Sequence, residues 1–220
     1  KIGSGECNNL PLIEFIAKFK KPVIMSTGMN SINSLEKSVE IFRKYKTPFA
    51  LLHCTNIYPT PPELVRLGAI SQIKNSFPDC VVGLSDHTTS NITSIGAIAL
   101  GAKIIERHFT DHYNRKGPDI SCSMDKDALT SLLEASKVLN LASGGEKLPL
   151  KEEKVTMDFA FASVVSNCEI KKNDQFTNQN ISLKRPSGGD FSPQDYSELI
   201  GKVAKKDIPC GKQLSFSDVK

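Results

Sequence analysis

The sequence predicts an α/β fold followed by a small β-rich unit. Two observations carry this prediction. From residue 1 to residue 142, short runs rich in Val, Ile and Leu alternate with segments of helical periodicity, as in consecutive parallel βα units. The alternation stops at a turn-rich stretch, 143–157, which we interpret as a linker, and residues 158–220 then carry an internal repeat.

Four apolar runs are typical of strands that are buried on both faces. The spacing between them leaves room for one short helix each and for no large insertion. This fits either a (β/α) barrel or an open doubly wound sheet. The predicted strands are residues 22–26, 48–54, 81–85 and 103–109.

Longer segments between and after these strands repeat apolar residues at helical spacing. In the first of them, Leu35, Val39 and Phe42 fall on one face at i, i+4 and i+7. The predicted helices cover residues 31–45, 63–77 and 125–141, and the apolar run at 95–100 is typical of a short buried helix.

The C-terminal part contains two similar segments, 169–181 and 207–219. In both, an acid and an Ile are followed at matching offsets by Gln, a large apolar residue, a hydroxyl residue, Asn or Asp, and a β-branched residue. This duplication predicts a small pseudo-symmetric β domain. The alternative is a chance similarity of two turn-plus-strand segments.

The composition excludes several classes of protein. With 220 residues, 39% of them hydrophobic and 24% charged, the chain is neither collagen-like nor mainly disordered. The net charge of +4 is too small to indicate nucleic-acid binding and is compatible with an anionic small substrate. No apolar run approaches the about 20 residues that span a bilayer. Because the six Cys form no CxxC motif and no secretory signal is evident, we expect reduced thiols in a cytoplasmic protein.

Two histidines follow neighbouring predicted strands. His87 shares a strand face with Ser85, and His108 shares a face with Glu106, because side chains alternate along a strand. The carboxyl ends of parallel strands meet at one edge of the sheet, so we expect the two imidazoles to converge on one metal ion. Without a nearby Cys, such an ion would be of borderline softness and would act as a Lewis acid. The alternative is a hydrogen-bonded core histidine at each position.

Further polar residues stand where the predicted strands end. The segment 3–5 offers backbone N–H groups and the hydroxyl of Ser4, and Lys1 adds an ammonium, a combination that suits a phosphate. The alternative is a plain turn, as in most short Gly-Ser stretches. Asn56 and Tyr58 lie in a Pro-rich loop. Either their side chains line a pocket, or the loop has only a structural role. Asp119 is a carboxylate near the expected metal, or it begins a turn.

Taken in order, these motifs resemble the bacterial sialic acid synthases, the N-acetylneuraminate synthases. The resemblance covers essentially the whole chain and rests on an ordered set of motifs. These are Gly-Ser-Gly-Glu at 3–6, Ser-Thr-Gly-Met at 26–29, the segment 53–61, Gly-Leu-Ser-Asp-His-Thr at 83–88, Glu-Arg-His-Phe-Thr at 106–110, Gly-Pro-Asp at 117–119 and Lys-Arg-Pro at 184–186.

The resemblance implies the C-terminal half of a (β/α)8 TIM barrel over 1–142, a linker over 143–157 and an antifreeze-like SAF domain over 158–220. The predicted strands are then the fifth to the eighth. Because four strands cannot close such a barrel, we expect a fragment of a longer protein or a half supplied separately. The resemblance also implies a homodimer in which the SAF domain of one subunit inserts Arg185 into the neighbouring barrel.

The activity implied by the resemblance is the condensation of phosphoenolpyruvate with N-acetylmannosamine, which gives N-acetylneuraminate and phosphate. The implied cofactor is a divalent metal, Mn2+ first and Mg2+ or Co2+ as alternatives. The implied catalytic residues are Glu6, His108 and Asp119, and the metal ligands are His87 and His108. The implied phosphoenolpyruvate-binding residues are Lys1, Ser4, Asn56 and Ser85, and the sugar-binding residues are Tyr58, Phe159 and Arg185.

Other interpretations stay open. Legionaminate, pseudaminate and N-acetylneuraminate 9-phosphate synthases share this framework. A non-catalytic carbohydrate-binding fragment would need no metal pair, and a chain without the first barrel half would expose two strand edges. The sequence departs from the family in lacking an early-strand glutamate used in catalysis. It also has Phe-Ala-Phe-Ala-Ser at 159–163, where many relatives carry an arginine pair.

Overall fold

The structure is a computed structural model that describes residues 1–220. The chain divides into two compact units, Lys1–Gly145 and Glu146–Lys220, and each is described by itself. Strands of the first unit are β1 (Val23–Ser26), β2 (Phe49–Cys54), β3 (Val81–Asp86) and β4 (Ile104–Arg107). Its helices are α1 (Leu10–Ala17), α2 (Ile32–Tyr45), α3 (Gly68–Ser76), α4 (Ile92–Ala99) and α5 (Lys126–Ala142).

The four strands form one parallel sheet in the order β1-β2-β3-β4. Ile2 extends this sheet by a parallel bridge to Met25. Every neighbouring pair in the sheet is therefore also consecutive in the chain, as in one side of a (β/α) barrel. All four strands predicted from the apolar runs are confirmed.

Helix α2 shows how periodicity sets the packing. Its N-terminus is capped by the side chain of Ser31, which accepts a hydrogen bond from the Ser34 N–H. The face predicted from the sequence, Leu35, Val39 and Phe42, is fully buried against the sheet. Burying each such side chain contributes about 1.5–3 kcal/mol.

Helix α3 is shorter than predicted. The segment predicted as one helix over 63–77 begins with a 3-10 turn at Pro62–Leu64, and the α-helix starts only at Gly68. Between them Arg66 has a φ of 54°, a left-handed conformation that interrupts a right-handed helix. Helix α1 was not predicted, because its apolar residues form a nearly continuous run without a clear period, whereas α4 matches the predicted buried helix at 95–100.

A close approach between strands explains one glycine in the sheet. A Cβ on Gly83 of β3 would lie 2.3 Å from the Ile104 carbonyl oxygen of β4 and 2.5 Å from a methyl carbon of Leu52 of β2. Only glycine fits this position without a shift of the backbone. The absence of a side chain here lets β2, β3 and β4 come together just below the residues of the candidate site.

The second unit contains α6 (Lys154–Ala160), the antiparallel strands β5 (Ser163–Ser166) and β6 (Ile181–Lys184), and the short helix α7 (Tyr196–Leu199). Helix α6 begins inside the stretch predicted as a linker. Other segments of this unit pair through isolated antiparallel bridges, such as the one between Ile170 and Ile208. Its core is a separate apolar cluster that includes Val164, Phe176 and Leu214.

The internal repeat is visible in the hydrogen bonds of this unit. Ile170 and Ile208, at matching positions of the two copies, donate their N–H groups to each other's carbonyl oxygens, at 2.9 and 2.8 Å. In the first copy the Thr177 N–H donates to Asn180 Oδ1 at 2.7 Å. In the second copy, a serine N–H donates to the Asp218 carboxylate in the same way, at 2.8 Å. The predicted duplication is therefore a structural one.

Candidate active site

A cavity of about 350 Å3 opens where the strands of the parallel sheet end. In (β/α) proteins this edge of the sheet carries the catalytic groups. The cavity is lined by most of the site residues predicted in the first unit. These are Lys1, Ser4, Asn56, Tyr58, Ser85, His87 and His108.

The two histidine rings lie next to each other, with centroids 5.3 Å apart and planes at 73°. His87 Nδ1 lies 3.0 Å from the Thr55 carbonyl oxygen. A carbonyl can only accept, so Nδ1 carries the proton and Nε2 keeps its lone pair. Burial lowers the pKa of the His87 imidazole, which favours this neutral, ligand-competent form.

His108 has a carboxylate partner. Its Nδ1 lies 3.5 Å from Asp119 Oδ2, so Asp119 lies beside one of the two histidines expected to bind a metal. A carboxylate on one ring nitrogen orients a histidine whose other nitrogen binds a metal. No group of three or more His, Cys, Asp or Glu side chains in the structure is arranged to hold an ion. The two imidazoles therefore suit a borderline divalent cation whose remaining ligands come from water or substrate oxygens.

An ion pair crosses the cavity from Lys1 to Glu106. Lys1 Nζ donates to both carboxylate oxygens of Glu106, at 2.6 and 2.5 Å. Burial raises the pKa of Glu106, but the hydrogen bonds from Lys1 and Ser85 and the positive charge of Lys1 together outweigh it, and the net pKa is lowered. Glu106 is missing from the predicted site residues. The signal that could have found it is a charged residue on the inward face of a buried strand.

Small polar groups line the wall beside Lys1. The Ser4 hydroxyl accepts a hydrogen bond from the Gly28 N–H at 3.0 Å. Asn56 Oδ1 accepts from the Cys54 thiol at 3.3 Å. A Cβ on Gly28 would lie 1.7 Å from Asn56 Oδ1, so glycine there makes room for the amide. With Ser85, these groups form a set of neutral donors next to one ammonium, which suits a phosphate or carboxylate.

Tyr58 covers the histidine pair. Its ring lies over His87 with the centroids 4.0 Å apart, and it meets His108 edge-on at 5.8 Å. The residue is still 44% exposed, so part of it is accessible to a ligand. This arrangement gives the cavity an apolar wall opposite its polar one.

Four predicted site residues do not line the cavity. Asp119 contacts His108 but is not one of the lining residues. Glu6 accepts a hydrogen bond from the Asn9 side chain at 2.7 Å and lies outside the cavity lining. Phe159 and Arg185 belong to the second unit, where both are exposed. The first unit alone therefore supplies the histidine pair, the ammonium and the carboxylates Glu106 and Asp119.

Two family models match this chain, one over each of its two units. The model of the NeuB family matches residues 1–147, which is more than half of the chain. The chain belongs to the NeuB family. The SAF domain model matches residues 161–220. The predicted fold class, a C-terminal half of a (β/α)8 barrel followed by a SAF domain, is confirmed by these matches together with the in-order parallel sheet.

Several synthases of acidic sugars are similar to this NeuB-family chain. It is 39% identical to the pseudaminic acid synthase of Campylobacter jejuni, over 99% of this chain and 63% of that protein. It is 38% identical to the N,N'-diacetyllegionaminic acid synthase of the same species, over 94% and 62%. It is 34% identical to the N-acetylneuraminate-9-phosphate synthase of Homo sapiens, over 92% and 56%. The chain thus spans about three fifths of the length of these relatives.

A solved structure supports the same assignment. The sialic acid synthetase of Leptospira borgpetersenii, crystallised with citrate, superposes with a TM-score of 0.67 at 32% identity, over 71% of this chain and 55% of that one. The predicted resemblance to the sialic acid synthases is confirmed. None of the helices combines the length and the apolar character needed to cross a membrane.

Proposed function

We propose that this NeuB-family chain carries the catalytic edge of a synthase that condenses phosphoenolpyruvate with a 2-acetamido sugar. The observation that carries the proposal is the cavity itself, which holds two adjacent imidazoles, one ammonium and several neutral donors at the carboxyl ends of parallel strands. The acceptor expected from the sequence is N-acetylmannosamine. The acceptors of pseudaminic and N,N'-diacetyllegionaminic acid synthases are equally supported, because those enzymes are among the most similar relatives.

Different residues of the cavity bind the two substrates. Lys1, with the hydroxyls of Ser4 and Ser85 and the amide of Asn56, binds the phosphate and carboxylate of phosphoenolpyruvate and faces the charge of the departing phosphate. Tyr58 packs against the sugar. Holding the two substrates face to face supplies a large share of the rate enhancement.

His87 and His108 would hold a divalent cation, Mn2+ first and Mg2+ or Co2+ as alternatives. When bound, such a cation supplies Lewis-acid polarisation of the acceptor's aldehyde oxygen. The positions of Thr55 and Asp119 keep both rings oriented toward the cavity.

Bond changes in the proposed reaction balance as follows. The methylene carbon of phosphoenolpyruvate forms a bond to the aldehyde carbon, whose oxygen takes up a proton. Water adds to the carbon that bears the phosphate, and its oxygen becomes the keto oxygen as the bond from that carbon to the phosphate oxygen breaks. Of the two protons of this water, one reaches the former aldehyde oxygen and the other leaves with the phosphate. Glu106, ionised because of Lys1, is a carboxylate in the cavity that can take a proton released by the water. The products are the keto acid and inorganic phosphate.

The quaternary arrangement is part of the same proposal. In a homodimer with exchanged SAF domains, the partner's second unit would present Arg185 and Phe159 to the sugar. Both side chains are exposed in this chain and are free to enter such a contact. Cytoplasmic location stays a prediction.

Product identification tests the function most directly. The natural protein that carries this sequence is incubated with Mn2+, phosphoenolpyruvate and a panel of 2-acetamido sugars, and the products are identified by mass spectrometry. We expect one acceptor to yield a nine-carbon keto acid with stoichiometric phosphate. Release of phosphate without a new carbon–carbon bond, or no reaction with any sugar of the panel, would contradict the proposal.

A further inference from the structure

A polar network lies next to the histidine pair, at the carboxyl ends of β3 and β4. Its centre is formed by Asp86 of β3 and Arg107 of β4, which are paired in the strand register. Because side chains alternate along a strand, Asp86 lies on the face away from the cavity. The longer side chain of Arg107 also reaches the cavity lining. Each stands between two cavity residues, and these are Ser85, His87, Glu106 and His108.

Asp86 fixes the start of the segment that follows β3. Its carboxylate is only 2% exposed. One oxygen accepts the Thr88 N–H at 2.9 Å. The other accepts the hydroxyls of Thr93 and Ser94, both at 2.6 Å. The carboxylate thus ties residue 88, immediately after His87, to the first turn of α4.

Arg107 holds the same segment from the neighbouring strand. Its guanidinium donates to the Thr88 carbonyl oxygen at 2.6 Å and to Asn91 Oδ1 at 3.0 Å, and it also donates to the Ser90 carbonyl oxygen. Its Nε atom is buried without a partner. The other donors of the guanidinium bind the segment 88–91, while this N–H stays without an acceptor. A buried donor without an acceptor lowers stability.

Stability alone does not account for a charged network in this place. Buried charges lose hydration, and well-packed apolar residues of similar volume are often as stable or more so. The hydrogen bonds of this network all end on the segment 88–91 or on the first turn of α4. Their geometric effect falls on His87, whose own carbonyl oxygen accepts the Thr60 N–H at 2.9 Å and whose ring is bonded to Thr55.

We propose that Asp86 and Arg107 are positioning residues that fix segment 87–91, and through it the ring of His87, in the orientation that binds the divalent cation. This inference rests on the proposed function, since it assumes that His87 is a ligand. It adds two residues that act through His87 and not as ligands of the cation. Partners outside the ligand sphere of a metal site commonly change metal affinity about 10- to 100-fold when they are replaced.

The test is the affinity for Mn2+ of the natural protein carrying Arg107→Lys. Lysine keeps the positive charge but cannot donate to three acceptors spread over residues 88–91. Free Mn2+ is measured by electron paramagnetic resonance in the absence of substrates. We expect the dissociation constant to rise about 10- to 100-fold with little change in thermal stability.

The matched control is Arg43→Lys in the same unit. Arg43 also makes a two-point contact, with Asp79 at 2.8 and 2.6 Å, but this contact lies before β3 begins. We expect its Mn2+ affinity to equal that of the wild type. His87→Ala serves as the reference for a lost ligand.

The outcomes separate the two proposals. If the wild type binds Mn2+ and loses it with His87→Ala, but Arg107→Lys binds as tightly as the wild type, the positioning role is wrong and the metal site stands. If the wild type binds no Mn2+, the metal site fails and this inference with it. If Arg107→Lys does not fold, Thr93→Val decides, because it removes one hydrogen bond to Asp86 with little change in shape; unchanged affinity in that variant would overturn the inference.

Discussion

We expect replacement of Asp218 to destabilise the second unit, because its buried carboxylate forms ion pairs with two lysines. Its side chain is fully buried. One oxygen accepts Lys212 Nζ at 2.6 Å and lies 3.1 Å from Lys206 Nζ. The other accepts the N–H and the hydroxyl of Ser215, at 2.8 and 2.9 Å. Asp218→Asn preserves the shape but removes the charge, and it sets an amide NH2 against donors whichever way the amide is turned.

The expected loss follows from these contacts. Removing one partner of a buried ion pair costs about 3–5 kcal/mol when the other charge is left buried. Here the lysine side chains are 32% and 49% exposed and can turn to water, which reduces the cost. Hydrogen bonds to charged groups contribute about 1.5–3 kcal/mol each. We therefore expect Asp218→Asn to lower the free energy of unfolding of the second unit by about 2–4 kcal/mol at pH 7.

The effect must also depend on pH in a defined direction. Burial raises the pKa of Asp218, but the hydrogen bonds from Lys212, Ser215 and Lys206 outweigh it and hold the pKa well below its usual range. A carboxylate with a depressed folded-state pKa stabilises the fold above its unfolded-state pKa of about 3.9, and this stabilisation decreases as the pH falls below that value. The difference in free energy of unfolding between wild type and Asp218→Asn should therefore become smaller from pH 7 to pH 3.

The assay is urea unfolding followed through amide NMR signals of residues 163–220, which separates the second unit from the first. Asp195→Asn is the matched control, because Asp195 caps Ser192 in the same way at 2.7 Å but has no lysine partner. We expect the free energy of unfolding of this control to fall much less than that of Asp218→Asn, because Asp195 keeps access to water. A difference for Asp218→Asn that stays constant between pH 7 and pH 3, or that equals the control, would refute the reasoning.

Three further predictions concern the sheet and the site. Gly83→Ala should destabilise the first unit by about 1–3 kcal/mol, because its methyl group would strike the Ile104 carbonyl; urea unfolding measures this, and an unchanged midpoint would contradict the close approach. His87→Ala should abolish metal-dependent turnover of the natural protein while circular dichroism stays unchanged, and full activity would remove the metal assignment. Arg185→Ala should raise KM for the amino sugar far more than KM for phosphoenolpyruvate in steady-state kinetics, and equal effects on both would contradict a role at the sugar.

The sequence predicted the strands and the histidine pair because both depend on local periods. Four apolar runs fix the strands, and alternation along β3 and β4 puts His87 and His108 on one face. The break in α3 was not predictable in this way, because nothing local marks the left-handed backbone of Arg66. Glu106 is marked in the sequence only as a charged residue in a buried strand. Its partner Lys1 is 105 residues away, and only the folded sheet brings them together.

The same alternation that places the two histidines on one face of the sheet places Asp86 on the other. Strand β3 leads into Ser-Asp-His and β4 into Glu-Arg-His, and in each the first and third residues line the cavity. The middle residues, Asp86 and Arg107, are paired across the strands. From the sequence alone, Asp86 and Arg107 look like any charged residues near strand ends. Register decides their role, because pairing them across β3 and β4 directs both at the one segment that begins with His87. A slip of one residue in that register would exchange the two faces, so the geometry of the site and the stability of the sheet are set by the same hydrogen bonds.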